Sequence, residues 1–180
     1  MNTARLSNSI MPSVEFLTAW RKHSSSVIAI ATADAGNRYV MLATSICSVS
    51  AYPPSLLICV DQSASIHAHI NRRGAFTINV LAAEDRDLAN HISTNSGCER
   101  FTQGKWQEIQ SADENIDGLP WLSTAQSSIA CRVKLSSAYG THTIFIGNVS
   151  MILGGNPEVD PLCYCNGSYQ KLIRIETHVS

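Results

Sequence analysis

Hydroxyl side chains gather twice along this chain. Thr44, Ser45, Ser48 and Ser50 fall close together, Ser63 and Ser65 follow Asp61, and Pro53-Pro54 with the run Leu56-Leu57-Ile58-Cys59-Val60 stands between the two groups. Neutral donors of this kind, joined by free backbone N–H groups at a sheet rim, satisfy a phosphate or an acceptor-rich ring without a fixed charge partner. A serine-rich edge strand followed by a proline turn is the plainer account of the same residues. Metal chemistry has little to build on. His67 with His69 and Cys163 with Cys165 are the closest pairs, and no C-x-x-C or H-x-x-x-H spacing converges four ligands.

Several chemistries lose their support because their motifs are missing. There is no G-x-G-x-x-G after a buried strand, no G-x-x-x-x-G-K-[ST] and no G-x-S-x-G, which argues against a Rossmann site, P-loop phosphoryl transfer and a hydrolase nucleophile elbow. A net charge of −1 recommends neither nucleic acid nor an anionic membrane as partner. No apolar run approaches a membrane span, and the first eleven residues lack the apolar core of a secretion signal. The expected location is therefore the cytoplasm, with the six cysteines mostly buried free thiols.

The elements that must hold these residues read as mainly β. With 180 residues, 44% hydrophobic and 15% charged, the chain fits one globular domain over 13–172, with a frayed start over 1–12 and a tail over 173–180. Ser13 caps a helix over 14–23 whose Phe16, Leu17 and Trp20 cover a barrel end. Strands follow over 26–33 and 39–48, turning at Asp34-Ala35-Gly36-Asn37, where Gly and Asn tolerate positive φ. Another strand covers 56–60, and a short helix over 66–71 is capped by Ser63 or Ser65, its dipole facing the loop. A strand over 75–81 contains Asn79, which must either bond neighbouring backbone or face a ligand. A helix over 84–93 precedes a long irregular stretch over 94–128, in which Trp106 and Trp121 pin the chain to the core. A hairpin over 129–139 and 143–153 and a last strand over 162–164 complete an antiparallel barrel with flanking helices.

The run Ser45 to Leu57, S-I-C-S-V-S-A-Y-P-P-S-L-L, resembles the N-S-F-x-S-V-S-x-x-P-P-L-V signature of the short-chain flavin reductases. Further pieces agree in order: Phe16 with the strand from Ser26 to Thr32, Gly74 to Leu81, Arg100-Phe101 with Trp106, His142 to Gly147, and Pro161-Leu162-x-Tyr164-x-x-Gly167-x-Tyr169. The resemblance implies a six-stranded antiparallel Greek-key split barrel of the FMN-binding type. It implies FMN or FAD held by Met41, Leu42, Ala43, Thr44, Ser45, Ser48, Asp61, Ser63, Ser65, Asn79, Arg100, Phe101 and Tyr169. NADH or NADPH would supply the hydride, with His142 near the nicotinamide, in a homodimer that hands reduced flavin to a partner monooxygenase. Reduction of another acceptor, such as ferric iron or a cobalt corrin, and a non-catalytic flavin-binding module stay open. Two departures stand out: Thr141 takes the place of the usual acid before His142, and Leu42 stands where Thr is common.

Overall fold

The structure is a computed structural model that describes residues 13–156 and 158–173. The segment over 1–12, expected to be frayed, Pro157 and all but the first residue of the tail over 173–180 lie outside the described residues. The chain begins with α1 (Ser13–Trp20), β1 (Ser25–Ser26), β2 (Ile28–Asp34), β3 (Asn37–Ala43), β4 (Ile46–Ala51) and β5 (Pro54–Asp61). Then come α2 (His67–Arg73), β6 (Ala75–Val80), α3 (Arg86–Thr94), β7 (Trp106–Glu108) and β8 (Pro120–Leu122). Two long strands, β9 (Ser127–Tyr139) and β10 (His142–Gly154), precede the small β11 (Cys163–Cys165) and β12 (Ser168–Gln170).

One antiparallel sheet organises the rest, in the order β3-β2-β6-β9-β10-β5-β4. Side chains from all seven strands, among them Ile28, Met41, Ile46, Ile58, Ile78, Cys131 and Phe145, pack into one shared interior, so the sheet curls until its two edges face the same core. Ile66 and Ile70 of the α2 region fill that interior from one end. The expected count of six strands is corrected to seven, and the sheet is open: β3 and β4 share no ladder. The sequence run over 39–48 holds two strands, because Thr44 and Ser45 carry the chain from one sheet edge to the other.

Local chemistry sets several joints. The β2–β3 turn places positive φ at Ala35 (50°) and Gly36 (77°) instead of Gly and Asn, which is the two-residue hairpin geometry that matches strand twist. Gly147 lets β10 pass close to its neighbours, since a Cβ there would lie 2.8 Å from Cys131 Cβ and 2.9 Å from the Phe76 ring. Helix α2 is tied to the hairpin by Asp34, whose Oδ2 accepts Arg72 Nε–H at 2.9 Å and lies 2.8 Å from His69 Nδ1. Hydrogen bonds from His69 and then Arg72 hold the Asp34 carboxyl below its usual range. Tyr39 stacks on His69 with ring centroids 3.5 Å apart.

The outer side of β2 and β3 is covered by α3. Leu88, Ala89 and Ile92 of that helix pack with Val27, Ala29, Val40, Phe101 and Leu122 in a second apolar cluster. The stretch over 94–128 is more regular than its composition implies. It holds a 3-10 turn at Gly97–Phe101 and the β7–β8 pair, and it buries Ile109, Ile116 and Leu119. Trp106 packs edge-on against Phe101, at 4.9 Å between centroids, and Trp121 packs on the third cluster, so both pin the segment as expected. Helix α1 ends at Trp20, three residues early, and Phe16, Leu17 and Trp20 are each more than half exposed, so it covers no barrel end among the described residues. The last strand is a hairpin, β11–β12, which also pairs with β1. Cys131 and Cys163 are buried, whereas Cys47 and Cys98 are exposed, which corrects the expectation of mostly buried thiols.

Asn79 resolves its two alternatives in favour of the protein. It is fully buried; Nδ2–H donates to Ala29 O at 2.9 Å, while Oδ1 accepts Leu122 N–H at 2.8 Å and Ser128 Oγ–H at 2.9 Å. One amide therefore joins β6, β2, β8 and β9. Each buried group left unpaired costs about 1–3 kcal/mol. Asn79→Leu should lower the unfolding free energy in urea by at least about 2 kcal/mol; a change within about 0.5 kcal/mol would show that the freed groups find other partners.

Candidate functional site

The link between β3 and β4 is where the sheet leaves backbone unpaired. Ser45 O accepts Cys59 N–H at 3.2 Å and Thr44 O accepts Ile46 N–H at 3.2 Å. The N–H and hydroxyl groups of Thr44 and Ser45 have no acceptor among the described residues, and both residues are exposed. Against this link lies a cavity of about 260 Å3, lined by Val27, Leu42, Ala43, Thr44, Tyr164 and Tyr169. Its lining is mostly apolar, with Thr44 carrying free donors at its rim. The two tyrosines meet edge to face at 5.5 Å, and burial, reinforced by Tyr164, raises the Tyr169 phenol above its ordinary pKa.

Folding places these residues for reasons already visible in the core. Val27 donates its N–H to Leu162 O at 2.7 Å and accepts Leu81 N–H at 3.0 Å, so the start of β2 is stitched to the chain entering the β11–β12 hairpin. That stitching brings both tyrosines beside β3. Cys59, bonded to Ser45, lies two residues before Asp61, so the loop after β5 starts close to the same link.

That loop is arranged differently from the expectation. Neither Ser63 nor Ser65 caps α2, whose N-cap position is Ile66 with no side-chain hydrogen bond. Ser63 spends both its donors on Asp61, N–H at 2.7 Å and Oγ–H at 2.6 Å to Oδ1. These bonds, the hydroxyl's first, hold the Asp61 carboxyl below its usual range, with a smaller contribution from His142 and His67. Ser65, by contrast, has no partner among the described residues for its N–H or hydroxyl.

The expected site residues divide in space. Leu42, Ala43, Thr44 and Tyr169 line the cavity together, Ser45 adjoins it through the link, and Asp61, Ser63 and Ser65 lie where the loop after β5 starts. Met41 points into the barrel interior. Ser48 is exposed on β4 opposite Leu56, away from the cavity lining. Arg100 donates to Asn95 O and Val40 O, both at 2.8 Å, and so clamps backbone. Phe101 is buried, with Arg38 4.6 Å above its ring. Asn79 serves the four strands described above. The Phe101 ring and the Asn79 amide are taken up by buried packing and protein partners, while Arg100, half-buried, spends Nε and an Nη1 donor on carbonyls.

His142 begins β10 and is exposed, outside the cavity lining. Its Nδ1 lies 2.9 Å from Thr141 Oγ1, and its carbonyl accepts Gln62 Nε2–H at 3.1 Å. Its cross-strand partner is Asp61, whose Oδ1 is engaged by Ser63. Val27 and Tyr164 are the cavity residues that reading the sequence missed. Tyr164 lay inside the P-L-x-Y-x-x-G-x-Y pattern; Val27 was one valine in an apolar run.

Comparison with known proteins follows this geometry. Residues 20–172 match the family described as flavin reductase like domain. The chain belongs to the flavin reductase-like family. Over 157 residues it is 34% identical to the reductase component of the FADH(2)-dependent resorcinol hydroxylase of Rhizobium sp. (strain MTP-10005), covering 86% of this chain and 84% of that one. Over 159 residues it is 31% identical to the NADH-dependent FMN reductase RutF of Stutzerimonas stutzeri (strain A1501), covering 88% and 87%. Among solved structures, the flavin reductase PheA2 superposes with a TM-score of 0.76 at 26% identity, covering 91% of this chain and 100% of that one.

Proposed function

We propose that this member of the family is an NAD(P)H-dependent flavin reductase that supplies reduced FMN or FAD to a separate monooxygenase. The observation that carries the reading is the cavity at the β3–β4 link, where mostly apolar and aromatic side chains meet unpartnered N–H and hydroxyl donors. These residues fit a flavin, whose ring is flat and apolar on its faces and rich in acceptors along one edge. Once bound, the flavin accepts a hydride from the nicotinamide and carries it away in reduced form.

Each part of the site has a task in this reading. Val27, Leu42 and Tyr169 enclose the ring and exclude water from it. Thr44 and Ser45 donate to its polar edge, where preorganised donors stabilise the negative charge that reduction brings. Ser65 offers free donors for the phosphate from the loop after β5, a role Ser63 cannot share while both its donors serve Asp61. His142, set against Asp61, approaches the nicotinamide. The relative from Rhizobium is named as a reductase component of a hydroxylase, which supports a partner oxygenase here. No helix among the described residues is long and apolar enough to cross a membrane, and six free cysteines accord with the reducing cytoplasm.

A homodimer belongs to the same reading. Phe16, Leu17 and Trp20 on α1, Val49, Leu135 and Tyr139 on the sheet and Tyr52 in the β4–β5 turn leave large apolar side chains exposed, which supports contact with a second copy. Light scattering should give twice 19.5 kDa; a monomer at micromolar concentration would overturn it.

NADH oxidation by the purified protein should depend on added FMN, and Thr44→Trp, which fills the cavity mouth, should raise the FMN dissociation constant at least about tenfold, or 1.4 kcal/mol. Unchanged affinity would misplace the ring. His142→Ala should slow flavin reduction in stopped flow by about 2- to 13-fold, the range for one lost neutral hydrogen bond, with FMN affinity retained. Identical rates at every NADH concentration would remove His142 from the site.

A further inference from the structure

The turn that carries His142 is fastened to the loop after β5 at more points than the ladder alone requires. β5 and β10 pair from Asp61 opposite His142 onward, and Gln62 continues the pairing one residue further, its N–H donating to Thr141 O at 2.9 Å. The Gln62 side chain then reaches back. Its Nε2–H donates to His142 O at 3.1 Å. One residue along, His67 Nε2 lies 2.8 Å from the hydroxyl of the buried Thr143. Gln62 is itself exposed and lies outside the cavity lining.

These two bonds from Gln62 grip His142 from both sides. Thr141 O belongs to the peptide plane before His142, and His142 O to the plane after it. A peptide unit is rigid, so holding the planes on both sides of a residue fixes its φ and ψ, and with them the direction of its Cα–Cβ bond. Gln62 therefore sets the direction in which the His142 imidazole leaves the chain. Thr141 Oγ1, 2.9 Å from His142 Nδ1, then restrains the ring itself. At an exposed hairpin tip, where Gly140 takes a φ of 57°, strand pairing alone holds a residue less firmly than in the middle of a sheet.

We propose that Gln62 is a positioning residue for hydride transfer, holding the backbone on both sides of His142 so that the imidazole is already aimed when the nicotinamide arrives. The proposal rests on the flavin reductase reading and on the place of His142 in it. The benefit is preorganisation. A group aimed in advance needs no ordering on the way to the transition state, and small misplacements of such a group appear as lost rate. Gln62 stands between Asp61 and Ser63 in the loop that leads to Ser65, so one short loop serves the flavin phosphate through Ser65 and the imidazole through Gln62.

Gln62→Met, made alone and together with His142→Ala, distinguishes a positioning residue from a plain fastener of two loops. The methionine keeps the length of the side chain and removes its donor. In stopped flow at saturating NADH, Gln62→Met should lower the flavin reduction rate about 2- to 10-fold, the range for one hydrogen bond, and by no more than His142→Ala does. The FMN dissociation constant and the urea midpoint should stay at their wild-type values. In the His142→Ala background the same change should have no further effect, because nothing is left to position. A wild-type rate in Gln62→Met, an equal loss with and without His142, or a rise in the FMN dissociation constant that matches the loss of rate overturns the proposal. A His142→Ala protein that reduces flavin as fast as the wild type removes His142 from the site and Gln62 with it. A slow His142→Ala beside an unimpaired Gln62→Met removes Gln62 alone.

Discussion

A sheet whose two edges share a core without sharing hydrogen bonds has to leave backbone groups open somewhere, and here it leaves them at Thr44 and Ser45. The constraint is topological. β3 and β4 are consecutive in the chain and bury Met41 and Ile46 in the same interior, yet β3 pairs only with β2, and β4 only with β5. A closed barrel would satisfy these donors internally. The open seam leaves them exposed, and its position is held by the Val27 stitches, the Ser45–Cys59 bond, and the apolar plug of Ile66 and Ile70.

The rigidity behind the seam comes from polar groups fully committed within the protein. Asn79 satisfies three strands from a fourth, Arg100 clamps the carbonyl of Val40 directly behind β3, and Asp34 fastens α2 to the β2–β3 hairpin. Buried groups of this sort specify one packing because every alternative leaves donors unpaired. The exposed groups at the seam can then stay unpaired without loosening the strands that carry them.

Much of this was legible in sequence because strand burial writes itself as short β-branched runs. The strands at Ile28, Leu56, Ala75 and the long β9–β10 hairpin all appeared where periodicity and turn residues put them. The seam did not. Thr44 and Ser45 look like two residues inside one continuous strand over 39–48, and the count of six came with the family resemblance. Family likeness placed Leu42, Ala43, Thr44 and Tyr169 at one site, and they do line one cavity. It could not tell that Asn79 would join four strands or that Arg100 would clamp two carbonyls, since such groups find partners that only the folded chain reveals.

The distribution of sulfur has a practical corollary. Burial pushes the Cys131 thiol up to about 12, so at neutral pH only roughly one in 10^5 of its molecules is thiolate, and it is sealed behind Gly147 and Phe76. Cys47 is exposed on β4, three residues past Thr44. An electrophilic dye therefore meets accessible thiols at Cys47, beside the seam, and at Cys98, and a protected one in the barrel. The chain thus carries an intrinsic attachment point from which fluorescence could watch a ring enter and leave.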